Sequence, residues 1–388
     1  MTDHRSHTEL RAEVRELCAR FTGEYWRRLD QERAYPQAFV DALTDSGHLA
    51  ALVPREYGGL GLGLGEAGVI MEEINRSGGH SAACHAQMYT MGAVLRHGSP
   101  DQKRAYLPGI AMGSIRLQAF SVTEQKAGSD TTSIATTARR DGDSYVIDGH
   151  KNWTSRIEQS NLLLLLARTA PRAEQGGRTD GLSLFLIDLR QVRAHQPDAL
   201  RVTPVRTMFN YATNQVHYEW LRVPATALVG EEGQGFRYVI DGWNAERILL
   251  AAEAIGDGYW FVERAADYAR TREVFGRPIG ANQGVQFPIA QAYMQIRAAD
   301  LMRYQAADLF DAGRDCGAEA NMAKLLASEA SWAAANACLD THGGYGFVDT
   351  YDVERKFRET RMYKVAPVNN NLVTSFVATK LLGMPRSY

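Results

Sequence analysis

The chain has 388 residues, of which 45% are hydrophobic, so we expect two or three domains with sizeable cores. Its formal net charge of −2 gives no electrostatic reason to expect nucleic acid or an anionic membrane surface as a partner, which leaves small polarised ligands. The 4 cysteines, Cys18, Cys84, Cys316 and Cys338, lie far apart without metal-ligand or redox spacing, so we predict no metal site and reduced, buried thiols, as in a cytoplasmic protein.

Residues 1–115 are predicted to form a helical domain, because apolar side chains recur there at helical spacing. The first residues are polar and no apolar run is long enough to span a bilayer, so we expect a soluble protein without a signal peptide. Residues 78–98 carry His85 and Gln87 among small apolar side chains. Taken alone, these polar groups are most simply solvated or satisfied within a core.

Residues 116–229 are predicted to form a small β-barrel or sandwich, since short apolar runs alternate there with turn residues. Its first stretch, residues 117–130, reads LQAFSVTEQKAGSD and joins an apolar strand to hydroxyls, a carboxylate and a Gly-Ser-Asp turn. Thr123, Ser129 and Asp130 are short polar residues that hydrogen-bond locally in loops. The loop could hold an anion or the edge of a heterocycle by backbone N–H groups, although an ordinary strand-to-turn junction explains the same composition.

A second segment of interest, residues 151–155, reads KNWTS. Strand alternation would place Trp153 and Ser155 on one face, which gives a flat apolar wall beside a hydroxyl donor to a heterocycle. A tryptophan at such a place is also common in an ordinary core.

Residues 230–388 turn helical again after a glycine-rich entry. Three long amphipathic stretches rich in Ala and Leu predict an antiparallel bundle, and they are residues 248–269, 287–312 and 319–339. Glu354 and Arg358 stand at the helical spacing of a stabilising ion pair.

Four phrases of this chain carry a family resemblance. VTEQKAGSD at residues 122–130 closely resembles the flavin and substrate loop of the acyl-CoA dehydrogenase family, and KNWTS is similar to its second flavin segment, Trp-Ile-Thr. REVFGRPIGANQ at residues 272–283 resembles the family's Arg, two residues, Phe-Gly, then Gln. LDTHGGYGF at residues 339–347 resembles its Gly-Gly-x-Gly-Phe turn, with Asp340 where a glutamine is usual. The resemblance extends over nearly the whole chain.

The resemblance implies a mostly α fold with a central β-barrel, arranged as N-terminal helical domain, β domain and C-terminal four-helix bundle. It implies FAD as cofactor, an acyl-CoA substrate, an electron-transferring flavoprotein as electron acceptor, and a homotetramer or homodimer. The reaction would be α,β-dehydrogenation of the thioester to a 2-enoyl-CoA, with a carboxylate removing the proton and a hydride passing to flavin N5. The residues that it assigns to FAD binding are Phe120, Val122, Thr123, Trp153, Ser155, Arg272, Phe275, Gln283, Gly343 and Gly344. Asn369 and Asn371 are predicted to replace flavin contacts of a Thr and a Gln that the family has and this chain lacks.

The position of the catalytic base departs from the commonest family pattern. Many members carry their glutamate in a Tyr-Glu-Gly-Thr phrase, where this chain has APVN at residues 366–369. No carboxylate stands there, and Pro367 lacks the N–H that would polarise the thioester carbonyl. Members resembling the isovaleryl-CoA and long-chain enzymes carry the glutamate immediately before an arginine on the long helix, which here is Glu246. Flanking Trp243 and Leu250 would desolvate it and raise its pKa, whereas a solvated carboxylate near the helix start is the simpler interpretation of Glu246 alone.

Substrate contacts follow from the same resemblance. It assigns Ser129, Asn244 and Arg247 to the substrate, with Arg247 on the CoA moiety. The helix of residues 78–98 would line the acyl pocket, where His85 or Gln87 would favour a short or polar acyl group. Because residues 366–369 are altered, two alternatives stay open. One is a flavin-dependent oxidase or monooxygenase on the same scaffold, and the other is a catalytically silent flavin-binding protein.

Overall fold

A computed structural model describes residues 7–171 and 177–386 of the chain. It divides into two compact units, which we call the bundle unit and the sheet unit. The bundle unit comprises Met1–Ala34, Leu62–Ser81 and Asn244–Tyr388, and the sheet unit comprises Tyr35–Gly61 and Ala82–Trp243. The predicted division at residues 1–115, 116–229 and 230–388 stays a prediction.

Helices dominate the described residues. They are α1 (Thr8–Ala19), α2 (Gly23–Glu32), α3 (Gln37–Asp45), α4 (Leu64–Arg76), α5 (Ala82–His97), α6 (Pro100–Ala111), α7 (Leu189–His195), α8 (Gly235–Thr271), α9 (Gln283–Asp311), α10 (Gly317–His342), α11 (Val353–Thr360) and α12 (Asn370–Phe376). Local chemistry explains where individual helices begin. At α6, for example, the Ser99 hydroxyl accepts from the Gln102 N–H and the Gln102 side chain accepts from the Ser99 N–H, a capping box.

The bundle unit contains the long helices predicted from the amphipathic stretches. Helices α8 and α10 cover the first and third stretches, α9 covers the second up to Asp311, and α9 packs along α10. The predicted pair on α11 is also confirmed, because Arg358 Nε lies 2.7 Å from Glu354 Oε2.

The strands of the sheet unit form one mixed sheet. They are β1 (Ala119–Ser121), β2 (Thr137–Asp141), β3 (Ser144–Ser155), β4 (Leu162–Arg168), β5 (Leu182–Asp188), β6 (Leu200–Pro204), β7 (Thr213–Pro224) and β8 (Leu228–Val229). Their order is β6-β7-β3-β2-β4-β5-β8, and β1 runs parallel to β4. Within the described residues the sheet is open, with β6 and β8 at its edges. The predicted β domain is therefore present as an open sheet, and its closure into a barrel is not confirmed.

The sheet is buried on both faces along β4. Leu164 and Leu166 belong to a core with Met91 and Val94 of α5, while Leu165 lies in a second core among the strands. Burial on both faces explains why this strand reads as a continuous apolar run rather than as an alternation.

The 4 cysteines are buried, as predicted, and none of them forms a disulfide within the described residues. Burial raises the pKa of Cys18 to about 11 and that of Cys338 to about 12. In the ranges that the structure covers, no helix is both long and apolar enough to cross a membrane.

Candidate active site

The signature loop, residues 122–130, leaves β1 and turns tightly. The backbone N–H groups of Glu124 and Ala127 donate to each other's carbonyl oxygens at 3.3 and 3.1 Å, and Asp130 accepts from Thr132 Oγ1 at 2.6 Å. A Cβ added at Gly128 would meet nothing within 4 Å, so the backbone is open there. Ser129, one of the predicted substrate contacts, is exposed. The loop thus has a fixed shape and an accessible main chain.

A buried hydroxyl cluster fixes the strands on which the predicted flavin segments lie. Ser121 Oγ lies 2.6 Å from Thr154 Oγ1, and the Tyr218 hydroxyl donates to Ser121 Oγ at 2.9 Å. These contacts join β1, β3 and β7. Phe120 and Trp153, the neighbours of Ser121 and Thr154, are thereby held in a defined relation within the sheet unit.

Trp153 differs from the alternation expected of a strand. A bulge interrupts the pairing of β3 with β7 between Lys151 and Thr154, and Trp153 has φ +62°, which is strained for a large side chain. Its side chain is 58% exposed, whereas Ser155 is buried and donates to Thr213 Oγ1 at 3.0 Å. The prediction that alternation places Trp153 and Ser155 on one face was therefore wrong, because the bulge breaks the alternation.

Helix α5 lies beside β1 and brings His85 near the flavin segment. The His85 ring makes an edge contact with Tyr89 at 5.1 Å, and the Tyr89 ring lies 6.1 Å from that of Phe120. Thr90 Oγ1 donates to the Leu117 carbonyl at 2.7 Å and ties the helix to the strand. Gln87 is separated from His85 by slightly more than half a turn of the helix, so the two side chains face opposite ways.

The proposed base lies in the bundle unit. Glu246 on α8 is 9% exposed, and the adjacent Arg247 donates through Nη1 to Asn244 Oδ1 at 3.0 Å. Burial lowers the pKa of Arg247, and the Glu246 charge opposes that shift. Asn244, Glu246 and Arg247 therefore form one cluster on the same part of α8.

Residues 366–370 are held by a buried lysine. Lys324 Nζ donates to the Val368 carbonyl at 2.6 Å and to Asn370 Oδ1 at 2.8 Å. Burial lowers the pKa of Lys324 to about 7, and the positive charge of Arg247 is the second largest cause of this shift. Asn369, predicted to contact FAD, caps α12 by accepting from the Leu372 N–H at 2.9 Å. Asn371 is exposed in the first turn of that helix.

A cavity of about 450 Å³ in the bundle unit collects several predicted cofactor residues. The side chains and backbone that line it are Tyr268, Arg272, Val274, Ile279, Asp340, Thr341, His342, Gly343, Gly344, Tyr345 and Val348. Tyr268 stacks on His342 at 4.2 Å, and a Cβ at Gly343 or Gly344 would meet nothing within 4 Å. The cavity thus combines a guanidinium, flat rings and open backbone.

Two further predicted cofactor residues lie outside the lining of this cavity. Phe275 is 101% exposed with φ +54°, and Gln283 is exposed at the start of α9. A large aromatic that contacts so little of its own chain, at a strained backbone position, is typical of a binding residue.

These groups fit FAD. Arg272 supplies a fork for phosphate oxygens, the two glycines leave room for a close approach, and exposed aromatic rings suit flat heterocycles. The sequence-based hypothesis missed Tyr268, although it stands four residues before Arg272, at helical spacing. It also missed Tyr89, whose position between two rings no local pattern indicates. In the described residues, no three His, Cys, Asp or Glu side chains cluster as metal ligands.

Comparison with known proteins places the whole chain in one family. It matches the family models for the N-terminal, middle and C-terminal domains of acyl-CoA dehydrogenase at residues 4–114, 119–218 and 233–381. It is 37% identical over 385 residues to acyl-CoA dehydrogenase fadE12 of Mycobacterium bovis, covering 98% of this chain and 96% of that one. It is 31% identical to an acyl-CoA dehydrogenase of Bacillus subtilis, covering 96% and 97%.

A solved structure gives the same result for the fold. A glutaryl-coenzyme A dehydrogenase in complex with glutaryl-CoA is 29% identical, covers 100% of this chain and 97% of its own, and superposes with a TM-score of 0.90. The chain belongs to the acyl-CoA dehydrogenase family, whose members are FAD-dependent oxidoreductases acting on CH–CH bonds of acyl-CoA thioesters.

Proposed function

We propose that this protein desaturates an acyl-CoA thioester to the 2-enoyl-CoA with FAD as cofactor and Glu246 as the base. The observation that carries the proposal is a carboxylate only 9% exposed, directly before Arg247, in a chain that has no carboxylate at residues 366–369. Desolvation makes a carboxylate a stronger base than it is in water, which suits removal of a proton from carbon.

The residues around the substrate would have distinct roles in this reaction. Glu246 takes the proton from the carbon next to the thioester carbonyl, and bound FAD supplies the acceptor for the hydride from the following carbon. Arg247 is oriented by Asn244 and provides positive charge for the CoA thioester, with Ser129 as a further contact.

The cofactor is assigned to two groups of residues. Phe120, Val122, Thr123, Trp153 and Ser155 hold the flavin end, which agrees with the open main chain of the signature loop and with the exposed Trp153 ring. Arg272, Gly343 and Gly344 take the pyrophosphate, and Phe275 and Gln283 the adenine half, of FAD in a second copy of the chain. Asn369 and Asn371 are further candidates, although the Asn369 oxygen already caps α12.

The acyl pocket is assigned to the face of α5 that carries His85. The His85 ring makes an edge contact with that of Tyr89, which in turn lies tilted against Phe120, so polar ring atoms lie beside the flavin segment. A short or polar acyl group suits such a wall better than a long alkyl chain.

Two kinds of partner complete the proposal. An electron-transferring flavoprotein would reoxidise the cofactor, as the family relationship suggests. A homotetramer, or a homodimer, would cover the exposed apolar side chains Phe287, Met294 and Leu301, which recur every seven residues on one face of α9.

The test is Glu246→Gln with Glu263→Gln as its matched control on the exposed part of α8. Anaerobic mixing with a panel of acyl-CoA thioesters should bleach the flavin of the parent and the control. The Glu246 variant should keep its FAD and reduce about 10²- to 10⁴-fold more slowly. Reduction at the parental rate would assign the base to another group.

The same mixing experiment separates the alternative functions. Bleaching that air reverses rapidly would favour an oxidase or monooxygenase, and no bleaching by any thioester would favour a catalytically silent flavin-binding protein.

A further inference from the structure

Lys151 is a lysine buried inside the sheet unit, with a side chain that is 0% exposed. Its Nζ donates to the Val122 carbonyl at 2.7 Å and lies 3.0 Å from Glu124 Oε1. The next residue, Asn152, donates its N–H to the Thr123 carbonyl at 2.8 Å. Two consecutive residues of β3 therefore hold three consecutive residues of the signature loop.

Glu124 extends this arrangement to the far end of the loop. Its carboxylate accepts from the N–H groups of Ala135 and Thr136 at 2.7 and 2.9 Å. Burial alone would raise the pKa of Glu124, but the Lys151 charge and these donors hold it below its usual value. The carboxylate is thus an anion that connects the start of the loop to the chain that follows it.

A buried ammonium is costly unless it is well paired, so its placement needs a reason. One reason would be general stability of the core. Both contacts of Lys151, however, fall on the residues on either side of Thr123, and Lys151 itself stands two residues before Trp153. The contacts therefore set the position of the Thr123 backbone relative to the Trp153 ring.

We propose that Lys151, Glu124 and the Val122 carbonyl form a clamp that positions the main chain of the signature loop for FAD. Lys151 is thus a positioning residue, and this inference rests on the proposed role of Thr123 and Trp153 in holding the cofactor. Without the clamp, the loop would sample other shapes and FAD would be bound more weakly.

The clamp also predicts how FAD binding depends on pH. Burial lowers the pKa of Lys151 to about 8, against the opposing charge of Glu124. The ammonium that grips the loop is present below that pH and is lost above it. Burial also lowers the pKa of His217, whose ring stacks at 4.0 Å on that of His150, the residue before Lys151. FAD affinity should therefore fall as pH rises through about 8.

The experiment compares Lys151→Met and Glu124→Gln with Gln102→Met. Gln102 is a matched control, because it is also buried in the sheet unit and donates to two backbone carbonyls, of Thr226 and Leu228, without carrying a charge. The FAD dissociation constant is measured by fluorescence from pH 6.5 to 9.5. Amide hydrogen exchange of residues 122–136 and 152 is measured in the FAD-free protein.

We expect Lys151→Met to weaken FAD binding about 10- to 100-fold and to abolish the pH dependence above 7. Exchange in the loop should rise even without FAD. In Glu124→Gln the decline in affinity should move to lower pH, because the anion that favours the ammonium is gone. Gln102→Met should lose stability without any of these effects. If Lys151→Met does not fold, the pH dependence of FAD affinity in Glu124→Gln tests the clamp by itself.

The clamp is refuted if the Lys151 variant binds FAD with the affinity and pH dependence of the Gln102 control. Thr123→Val distinguishes this failure from a failure of the cofactor assignment. If Thr123→Val weakens FAD binding while Lys151→Met does not, the assignment stands and the clamp is wrong. If neither Thr123→Val nor Lys151→Met changes the FAD dissociation constant, in a protein that still binds FAD, the loop itself is not the flavin site.

Discussion

Asp257 on α8 and Lys356 on α11 form an ion pair of 2.6 Å in which both side chains are 0% exposed. Lys356 Nζ also lies 3.1 Å from Glu359 Oε2, so one ammonium serves two carboxylates. Burial raises the pKa of Asp257 to about 7, opposed by Lys356, while the charges of Glu359 and Glu253 reinforce the shift. The pKa of Glu359 is held at about 2, chiefly by Arg355 and Lys356 acting against burial. Of the two carboxylates beside Lys356, Asp257 is therefore the one that binds a proton first as the pH falls.

This pair predicts that the protein loses stability as pH rises towards neutrality. Between the ordinary aspartate pKa of 3.8 and its folded pKa of about 7, Asp257 binds a proton in the native state that the unfolded chain has released. The free energy of unfolding therefore falls by at most about 1.4 kcal/mol per pH unit in that range. Asp257→Asn should remove this contribution. Urea unfolding at pH 5, 6, 7 and 8 gives the free energy of unfolding of the parent and of the variant. The same dependence of that free energy on pH in both proteins would contradict the prediction.

Close packing of α8 on α4 predicts a strong effect of one methyl group. A Cβ at Gly256 would lie 2.3 Å from the Glu72 carbonyl oxygen, so Gly256→Ala must displace backbone. We expect a loss of about 2 kcal/mol or more in the free energy of unfolding. Gly242→Ala on the same helix meets nothing within 4 Å and should gain up to about 1 kcal/mol. Equal effects of the two substitutions in thermal unfolding would rule out the steric explanation.

The proposed homotetramer or homodimer, with the apolar stripe of Phe287, Met294 and Leu301 on α9 in its interface, predicts a variant that dissociates. Met294→Glu places a charge in the middle of the exposed stripe, which would be desolvated in an interface between copies. Sedimentation should show a smaller assembly for this variant, with the helix content unchanged. Gln295→Glu, an exposed change one residue further on, should keep the parental mass. If both variants keep the parental mass, this face of α9 is not part of an interface between copies.

The exposed ring of Phe275 predicts separate effects on stability and on cofactor binding. Phe275→Ala should leave the unfolding of the FAD-free protein within about 0.5 kcal/mol of the parent, because the ring is wholly exposed. It should weaken FAD binding about 10-fold if it stacks on the adenine half. Met112→Ala, which also removes an exposed apolar side chain, should change neither quantity. Destabilisation without weaker FAD binding would contradict the assignment.

The helical part of the fold could be predicted because its signal is local. The three amphipathic stretches of the bundle and the pair of Glu354 with Arg358 depend on helical periodicity, and both are confirmed. The start of α8 at Gly235 was missed, because a glycine-rich stretch resembles a flexible entry. Helix continuation there is decided by packing of Val239 and Trp243 in the core of the sheet unit.

The candidate site was predicted only where short phrases carry it. Trp153 and Arg272 are predicted as members of such phrases, but the bulge that exposes Trp153 depends on how β3 pairs with β7. The contact of Lys151 with Val122 joins residues 29 positions apart, and no local pattern contains it. Pairing across the sheet is a property of the folded chain, so these parts of the site needed the structure.

The buried state of the native thiols has a practical consequence. Alkylating reagents react with the thiolate, and the raised pKa values of Cys18 and Cys338 leave little of it at neutral pH, while Cys84 and Cys316 are shielded by burial. A cysteine introduced at an exposed position would thus react selectively with a maleimide probe. Fluorophores or spin labels could be attached there without first deleting any natural sulfhydryl, and distances measured in the otherwise unaltered protein.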